Sequence, residues 1–386
     1  MSPMTGLFLL GVAFMLYVVF GYPALLAILA RLWPAPIRRR LEWKTVTVLL
    51  PVHNGAAWIE AKLRSLLALD YPRELVRIVV ILDGCDDATE PLARAFAPQG
   101  VELVPLPRGG KAVALNEGMR RATGEILLFT DVRQELDPAS LRSLVACFAD
   151  PKVGVVSGEL VIRQGRTLEE VNTGAYWSYE KWIRKRLSSL DSILGATGCI
   201  YAMRASLAAP LPADTILDDM VLPLGAFFQG YRLILDEGAR AYDDPTSLAS
   251  EFRRKVRTLA GVCQVIARTP RLLCPAGRMW IHFVSHKLGR LLLPWAALAV
   301  LAGSFGLAAP WRGLALAAQA CFYLLIPLDL LLVKPSSLKR VTSLARTVFV
   351  LLAAAFCAVF YLLLPRQPLW QPTGSPAQTV SQSTRR

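Results

Sequence analysis

The sequence predicts an α/β domain that stands between membrane-spanning helices, and three observations lead to this prediction. Apolar segments are concentrated at the two ends of the 386-residue chain, and the mean hydropathy is +0.41. In the middle, short runs of Val, Ile and Leu alternate with helical patterns, as in strand–helix–strand units. Two of these runs end at an acidic residue, Asp83 and Asp131. Open α/β sheets bind ligands at that end of their strands.

The charge of the chain favours a membrane location over nucleic-acid binding. The formal net charge is +14, yet no nucleic-acid module and no interleaving of basic and aromatic residues accompany it. Attraction to anionic lipid headgroups explains the same charge. The seven cysteines form no Cys-x-x-Cys pair. We therefore expect neither a zinc site nor a disulfide framework, and a reducing compartment for the middle domain.

An N-terminal segment, residues 1–36, is predicted to hold the first transmembrane helix. Residues 5–30 carry no charge and are long enough to cross a bilayer. A cleavable signal peptide is the alternative, but the apolar run is long for one and no basic residues precede it. Arg31 and the basic run 38–40 follow the helix. By the positive-inside rule they place its carboxyl end in the cytoplasm.

Residues 44–270 contain the predicted α/β domain. Its fourth strand, Ile126–Phe129, has no polar alternation, which is typical of a parallel strand covered on both faces. One helix opens at a Gly109–Lys111 turn, where backbone N–H groups and an ammonium suit a phosphate. No Gly-x-Gly-x-x-Gly follows the first strand and no Gly-Lys-Ser/Thr occurs. Strands are predicted at 46–50, 77–82, 101–105, 126–129, 153–161, 199–203 and 230–236.

Asp131 is the acid around which the domain is organised. It follows a buried strand and precedes a helix for which Asp137 is the predicted N-cap and Pro138 the first residue. Such an acid serves either as a turn residue or as a ligand, and this segment alone leaves both open.

Other acids of the domain have structural alternatives. Asp87 and Glu90 form a capping-box pattern for the next helix, which leaves Asp83 at the strand end as the ligand candidate. The pair Asp218–Asp219 stands just before a helical run, where acids commonly only cap the helix and interact with its dipole.

Two further helical patterns carry unusual side chains. The pattern at 173–190 is aromatic and basic, which is typical of core packing, of an acceptor platform or of a membrane-surface helix. In the basic pattern beginning at Glu251, Arg253 and Arg257 share a face. This face is either solvated or suited to a diphosphate.

The order of these motifs resembles that of the family 2 glycosyltransferases, and more narrowly of their membrane-integrated, synthase-like members. The resemblance covers about residues 45–265. It implies an inverting enzyme with a GT-A nucleotide-sugar domain, whose mixed, mainly parallel sheet has helices on both faces. The matching segments are 49–54 (first strand and turn), 83–89 ("DGSxDGT"), 109–118 ("GKxxALNxG"), 130–133 (Asp-x-Asp), 217–219 ("Thr-Glu-Asp") and 254–258 ("Gln-x-x-Arg-Trp").

The resemblance implies roles for individual residues. Asp219 is the expected general base, which removes the proton of the attacking acceptor hydroxyl. Asp83 is expected to contact the base of the nucleotide. Charge that develops on the leaving diphosphate requires a metal ion or Arg and Lys side chains. The expected nucleotide-sugar-binding residues are Pro51, His53, Asp83, Lys111, Asp131, Arg254 and Arg257.

Two departures from the family pattern bear on the chemistry. Arg133 stands where the family has the second acid of Asp-x-Asp, the ligand of a divalent ion. The resemblance therefore implies Mg²⁺ or Mn²⁺ at Asp131, with Glu135 or water supplementing it, or else Arg133 supplying the positive charge. Thr258 replaces the motif's Trp, which is associated with acceptor binding in processive synthases. This replacement disfavours the synthesis of long polymers.

The C-terminal part of the chain is predicted to return to the membrane. Residues 271–290 are expected to form an interfacial helix, although His282 and His286 at i, i+4 spacing would also suit a metal. Residues 291–365 are predicted to form three transmembrane helices, with a basic loop before the last. Asp329 in the second of them is either functional or solvated near the interface. The tail at 366–386 is predicted to be disordered.

We therefore expect a membrane-bound inverting glycosyltransferase that moves a sugar from a nucleotide-diphosphate sugar to a lipid-linked or cell-surface glycan acceptor. The alternative is a processive polysaccharide synthase that also translocates its polymer. A transporter regulated by its soluble domain is disfavoured, because the predicted spans show neither paired charges nor repeats. The expected location is the plasma membrane, bacterial inner membrane, with several spans and a cytoplasmic catalytic domain. The expected partners are the donor, the acceptor and membrane lipids, but no nucleic acid.

Overall fold

A computed structural model of the chain describes residues 2–163, 168–244, 248–332 and 336–361. These residues fall into two compact units. The sheet unit comprises Ala35–Arg163 and Asp191–Asp244, and the helical unit takes its described residues from Met1–Pro34, Gln164–Leu190 and Pro245–Gln367. The segment 44–270, expected as one domain, therefore contributes to both units.

The described part of the chain alternates between helices and strands in its middle and is helical at both ends. Two π-helical turns, Tyr17–Gly21 and Phe283–Leu288, join neighbouring helices into longer ones. In chain order the elements are α1 (Pro3–Leu16), α2 (Tyr22–Leu32), β1 (Val46–Val52), α3 (Ile59–Leu67), β2 (Val76–Asp83), α4 (Thr89–Arg94), β3 (Val101–Leu106), α5 (Lys111–Arg121), β4 (Ile126–Thr130), β5 (Glu135–Leu136), α6 (Ser140–Ala146), β6 (Val153–Ile162), α7 (Leu168–Leu190), β7 (Ile200–Arg204), α8 (Asp218–Phe228), β8 (Arg232–Asp243), α9 (Leu248–Arg268), α10 (Trp280–His282), α11 (Gly289–Ser304), α12 (Trp311–Leu331) and α13 (Ser337–Tyr361).

The sheet unit is built on one mixed, mainly parallel sheet with the strand order β3-β2-β1-β4-β7-β6-β8-β5. Strands β1, β2, β3 and β4 pair in parallel, as do β6 and β8. Strand β7 is antiparallel to both of its neighbours, β4 and β6. This arrangement confirms the predicted fold class. Strand β4 is buried throughout, but only one of its two pairings is parallel, contrary to the fully parallel environment that its apolar run indicated.

The segment after Asp131 differs from its prediction. The helix begins at Ser140 rather than at Pro138, because a short strand, β5, and a turn come first. The Asp137 carboxylate still caps this turn, since it accepts hydrogen bonds from Ala139 N at 2.9 Å and from the Tyr242 hydroxyl at 2.9 Å. Asp137 thus stabilises the turn that precedes α6 rather than the first turn of α6.

The predicted capping box before α4 is half right. Asp87 accepts a hydrogen bond from Thr89 N at 2.9 Å and one from Ala56 N at 3.1 Å, so its role is structural. Glu90 instead forms an ion pair with Arg94 one turn later. Asp87 therefore also ties α4 to the loop that follows β1.

Four apolar helices in the described part of the helical unit are long enough to cross a membrane, one N-terminal and three C-terminal, as the sequence predicts. They are Pro3–Leu32, Trp280–Ser304, Trp311–Leu331 and Ser337–Phe360. The second begins at Trp280 and not at 291, so residues 280–290 are not a separate interfacial helix but its first three turns. Gly303 allows a close approach of α1 to α11, because a Cβ added there would lie 2.6 Å from Phe8 N.

The basic segment expected as a loop before the last span belongs mostly to α13. Its cations bind Asp329, which is completely buried on α12: Lys339 Nζ lies 2.9 Å and Arg346 Nη1 3.2 Å from the carboxylate, and the Thr342 hydroxyl donates to it at 2.9 Å. Asp329 is therefore neutralised inside the protein rather than solvated. The predicted disordered tail lies outside the described residues.

The two histidines of the second span are buried and take part in hydrogen bonds between helices. His282 Nδ1 lies 3.2 Å from the Tyr22 hydroxyl, and His286 Nε2 lies 3.1 Å from a carboxylate oxygen of Glu180 on α7. The two histidines are thus spaced at i, i+4 because both contact neighbouring helices from the same side of their own helix.

Candidate active site

The glycine turn before α5 is held in place by Asp83, the last residue of β2. The Asp83 carboxylate accepts hydrogen bonds from Gly109 N at 2.7 Å and from Gly110 N at 3.0 Å, and it forms an ion pair with Arg108. Gly110 has a φ of 92°, which favours glycine. Because Asp83 is almost fully buried, these donors occupy a carboxylate that the resemblance assigns to base recognition. Asp83 therefore organises the glycine turn at which the resemblance implies phosphate binding.

Lys111, the first residue of α5, lies between two carboxylates. Its Nζ is 2.9 Å from Asp131 Oδ1 and 3.1 Å from Asp218 Oδ2. Burial by itself lowers the pKa of Lys111, but the negative charges of Asp131, Asp218 and Asp219 outweigh it and raise the pKa above its ordinary value. The structure thus brings together three motifs that lie between residues 109 and 219 of the chain, and it places a permanent cation where they meet.

Asp219, the expected general base, follows Asp218 in the first turn of α8. Its backbone carbonyl accepts a hydrogen bond from Ala196 N at 2.7 Å. Its carboxylate packs against the same turn, since a Cβ added at Gly198 would lie 3.0 Å from Oδ2. The sequence marked 195–198 only as a tight turn before a strand. Gly195 and Gly198 in this turn could have indicated from the sequence that a side chain approaches the backbone there.

The remaining residues expected on the nucleotide side lie at the carboxyl ends of β1 and β2. Pro51 is buried in β1 and pairs with Ile81 of β2. His53 follows β1, and its Nδ1 lies 2.9 Å from the backbone carbonyl of Asp83. Pro51, His53 and Asp83 therefore lie at one edge of the sheet, as the motif order implied.

Arg133, the residue that breaks the Asp-x-Asp pattern, forms an ion pair with Asp243 at the end of β8. Gln134 Nε2 donates to the same carboxylate at 2.9 Å. Asp243 is buried, so its charge requires these partners. This contact gives Arg133 a structural role in joining the Asp131 loop to β8.

Lys62 binds the residues on either side of the Asp131 loop, Thr130 and Gln134, and no sequence pattern singles it out. The side chain is completely buried on α3, and Nζ donates to Thr130 Oγ1 and to the Gln134 carbonyl, each at 2.6 Å. Burial lowers the pKa of Lys62 to about 7, although Cys199, Asp131 and Glu135 act in the opposite direction. Lys62 lies in an amphipathic pattern beside Leu63 and reads as an ordinary surface lysine.

Residues 47–209 match the family model described as glycosyl transferase family 2. This region is a family 2 glycosyltransferase domain. The match begins in β1 and includes the Asp83, Lys111 and Asp131 motifs.

Curated relatives of this chain include poly-β-1,6-N-acetyl-D-glucosamine synthases of two staphylococci. The protein of Staphylococcus aureus (strain COL) is 26% identical over 235 residues, which are 59% of this chain and 57% of the relative. The protein of Staphylococcus epidermidis is 25% identical over 231 residues, 58% of this chain and 56% of the relative. The chain thus spans somewhat more than half the length of these relatives.

A solved structure with a similar fold is the mannosyltransferase PcManGT from Pyrobaculum calidifontis, in complex with GDP-Man and Mn²⁺. The TM-score is 0.70 at 23% sequence identity, and the similarity covers 94% of this chain and 100% of that one. It confirms the GT-A fold of the glycosyltransferase domain.

The carboxylates of the glycosyltransferase domain provide few ligands for a metal. Among the residues with described positions, no three His, Cys, Asp or Glu side chains form a metal-binding group. Glu135, the expected supplementary ligand, forms an ion pair with Arg163 at 3.5 Å. Asp131 is 38% exposed and offers one carboxylate. A single carboxylate can hold an Mg²⁺-like ion only where substrate phosphates supply further oxygens, as is common for Mg²⁺.

Arg254 and Arg257 lie on α9 of the helical unit. Arg254 forms an ion pair with Glu251, and its guanidinium lies 5.0 Å from the ring centre of Trp177. Lys255 Nζ lies 4.8 Å from the same ring. The aromatic helix α7 thus packs against the cations of α9 at this point, and the binding of a diphosphate by the two arginines stays a prediction.

Proposed function

We propose that the chain is a membrane-bound inverting glycosyltransferase that transfers a sugar from a nucleotide-diphosphate sugar to a lipid-linked or cell-surface glycan acceptor. The observation that carries the proposal is the position of Lys111, with its ammonium 2.9 Å from Asp131 and 3.1 Å from Asp218. A helix N-terminus, two glycine N–H groups and a lysine are the elements that bind phosphate groups.

The diphosphate of the donor binds at the start of α5, and Lys111 neutralises it. Asp131 and Asp218 hold this ammonium at the site, so little reorganisation is needed when the anion arrives. Asp83 fixes the turn on which Lys111 stands. Asp131, with oxygens of the diphosphate, would hold an Mg²⁺ or Mn²⁺ ion, which neutralises further charge on the leaving group.

Asp219 accepts the proton of the acceptor hydroxyl as that oxygen attacks the anomeric carbon. The new carbon–oxygen bond forms opposite the bond to the diphosphate, which breaks and leaves with the nucleotide. Asp219 suits this role because it is partly exposed beside the buried Asp218 and is braced by the 195–198 turn. Inversion follows from a single displacement of this kind.

A second candidate is a processive polysaccharide synthase that also translocates its product. The names of the staphylococcal relatives favour this function at least as much as a single transfer. Thr258 in place of the family's Trp argues against it. The length of the product made by purified, reconstituted protein distinguishes the two, because a synthase yields long chains and a single-transfer enzyme extends the acceptor by one sugar.

The proposed location is a plasma membrane, in bacteria the inner one, with the glycosyltransferase domain in the cytoplasm. Four candidate spans and the basic residues after the first of them support this orientation. Reaction of single introduced cysteines with a membrane-impermeant reagent tests it. Labelling of a cysteine in the glycosyltransferase domain from the outside of intact cells would contradict the proposal.

A donor screen tests the proposed reaction. The full chain in detergent or lipid discs is incubated with UDP-, GDP-, ADP- and CDP-sugars, with and without Mg²⁺ or Mn²⁺, and released nucleoside diphosphate is measured. Asp219→Asn should abolish most of the release, since it removes the base. The matched variant Asp70→Asn changes an exposed carboxylate that pairs with Arg142, and it should keep full activity. Equal turnover in Asp219→Asn would refute the assigned base.

A further inference from the structure

Lys62 is a completely buried lysine that takes no part in the proposed reaction. Its Nζ donates to the Thr130 hydroxyl and to the Gln134 carbonyl, each at 2.6 Å. Both acceptors are uncharged, so burying the ammonium beside them costs free energy that an apolar residue on α3 would not cost. An apolar residue would also leave the two oxygens without these donors. The ends of the Asp131 loop are therefore held by hydrogen bonds that depend on a lysine at this position.

The Thr130 hydroxyl extends the connection from α3 to the start of β7. Thr130 is the last residue of β4 and is 2% exposed. It donates its single hydroxyl hydrogen to the Cys199 carbonyl at 2.7 Å, so its oxygen accepts the hydrogen bond from Lys62. Successive hydrogen bonds of this kind strengthen one another in a buried environment. The amine, the hydroxyl and the carbonyl thus form one network.

Cys199 directly follows the 195–198 turn, which contacts Asp219 at two points. Ala196 N donates to the Asp219 carbonyl at 2.7 Å, and a Cβ added at Gly198 would lie 3.0 Å from Asp219 Oδ2. Because Gly198 and Cys199 are adjacent in the chain, a shift of the Cys199 carbonyl also displaces the turn. The network that starts at α3 therefore reaches the residue proposed as the general base.

The other hydrogen bond of Lys62 fixes the loop on the far side of Asp131. Lys62 binds the carbonyl of Gln134, and the Gln134 side chain donates to Asp243 at 2.9 Å. Arg133 forms an ion pair with the same Asp243 carboxylate. The residues that follow Asp131 are thus held both by α3 and by the end of β8, and this leaves the loop little freedom to move.

We propose that Lys62 is a positioning residue that fixes Asp131 and Asp219 relative to each other. It holds the Asp131 loop directly and the 195–198 turn through the Thr130 hydroxyl. The inference rests on the proposed function, in which Asp131 acts on the leaving diphosphate and Asp219 on the attacking hydroxyl. These two groups lie on opposite sides of the reacting carbon, so the separation of the two carboxylates has to match that geometry.

The network does not require Lys62 to be charged. Burial lowers the pKa of Lys62 to about 7, so the ammonium and the neutral amine both occur near neutral pH. A lysine ammonium has three N–H donors and the neutral amine has one fewer. Either form can therefore donate to both oxygens, and substitutions at Lys62 test its hydrogen bonds rather than its titration.

A pair of substitutions at Thr130 tests the network with little change in volume. Thr130→Val has the same shape but no hydroxyl, whereas Thr130→Ser keeps the hydroxyl and loses only a methyl group. In Thr130→Val we expect kcat for the release of nucleoside diphosphate to fall by about 10- to 100-fold, the effect of a slightly displaced catalytic group. Thr130→Ser should keep most of the activity. Equal losses in the two variants, or no loss in Thr130→Val, would overturn the proposal.

Lys62→Met replaces the amine by an apolar side chain of similar length. The kcat of this variant should also fall by about 10- to 100-fold. In the Lys62→Met background, Thr130→Val should cost much less than in the unchanged protein, because both substitutions break the same network. A full additional loss would show that the two residues act independently and would refute the proposal. If Lys62→Met does not fold, the two Thr130 variants decide the question.

Nucleotide affinity separates the positioning of the base from a general disturbance of the site. The turn that carries Lys111 is held by Asp83 and not by the network. Calorimetry with UDP, GDP, ADP and CDP, without added metal, should therefore give the same Kd for Thr130→Val as for the unchanged protein. A Kd that rises in parallel with the fall in kcat would contradict the assigned role.

Tyr71→Phe is the control for a loss of stability in the same unit. The Tyr71 hydroxyl donates to the Lys44 carbonyl at 2.8 Å and accepts from Lys44 N at 2.9 Å. Its removal should lower the Tm and leave kcat unchanged at temperatures well below the Tm. If Tyr71→Phe lowers kcat as much as Thr130→Val does, reduced stability explains both losses and the role of Lys62 is refuted.

The donor screen distinguishes a failure of this role from a failure of the proposed function. If the unchanged protein releases no nucleoside diphosphate from any of the nucleotide sugars, the proposed function fails and the role of Lys62 fails with it. If the unchanged protein is active and Thr130→Val is equally active, only the role of Lys62 fails.

Discussion

The carboxylate of Asp83 accepts a hydrogen bond of 2.7 Å from the backbone N–H of Gly109, and this contact connects the end of β2 to the turn that presents Lys111. Gly110 and Arg108 bind the same carboxylate. Asp83, which is expected to contact the base of the nucleotide, thus also organises the turn that is expected to bind the diphosphate. The proposed function therefore couples the recognition of the base to the binding of the diphosphate through one side chain.

Replacing Asp83 by Asn should therefore weaken nucleotide binding and destabilise the turn. The amide keeps one acceptor oxygen but loses the charge that pairs with Arg108 and strengthens the two glycine contacts. We expect a Kd for nucleoside diphosphate about 10- to 100-fold higher, since hydrogen bonds to charged groups contribute about 1.5–3 kcal/mol. Titration calorimetry measures it. An unchanged Kd would show that the turn keeps its conformation without Asp83.

Replacing Lys111 by Gln should reduce the activity more than replacing Asp83 by Asn does. It removes the cation between Asp131 and Asp218 and leaves two carboxylates to repel the incoming diphosphate. Transfer should fall by at least about 100-fold, in line with the loss of an electrostatic contact in a pre-formed site. The release of nucleoside diphosphate from the donor measures it. Lys152→Gln, at an exposed residue before β6, is the control and should be fully active.

Lys62 should make the stability of the protein depend on pH. Burial lowers its pKa in the folded state to about 7, below the unfolded value of about 10.4. The unfolded chain therefore binds more protons between these values, and stability should rise with pH from about 7 to about 10. In Lys62→Met this contribution to the slope should disappear. Thermal unfolding of both proteins across this pH range provides the measurement, and equal slopes would contradict the low pKa of Lys62.

The fold was predictable from the sequence because its signals are local. The buried runs that became β1, β2 and β4 and the acids at their ends are visible within about ten residues. Lys111 could be selected because a glycine turn precedes it.

The supporting residues of the site were not predictable, because their roles depend on distant contacts. Lys62 is explained only by its contacts with Thr130 and Gln134. The start of α13 was missed for the same reason: its cations, which suggested a loop, bind the buried Asp329 of α12.

Gly198 should be required for the position of Asp219 rather than for binding the donor. A Cβ at this position would lie 3.0 Å from Asp219 Oδ2, so Gly198→Ala must push the carboxylate away by a few tenths of an ångström or more. Because the displacement of a catalytic group by about 1 Å can cost about 100-fold in rate, we expect kcat to fall by about 10- to 100-fold.

The Kd for nucleoside diphosphate should stay unchanged in Gly198→Ala, since Lys111 and its turn are untouched.

The matched control for Gly198→Ala is Gly225→Ala on α8. No atom lies within 4 Å of a Cβ added there. Alanine is the better helix former by about 1 kcal/mol, so this variant should be more stable and equally active. A normal kcat in Gly198→Ala would mean that the 195–198 turn can move without displacing Asp219, and the turn would then have no part in positioning the base. A parallel loss of nucleotide affinity would instead point to a wider disturbance that reaches Lys111 through Asp218, its neighbour in the first turn of α8.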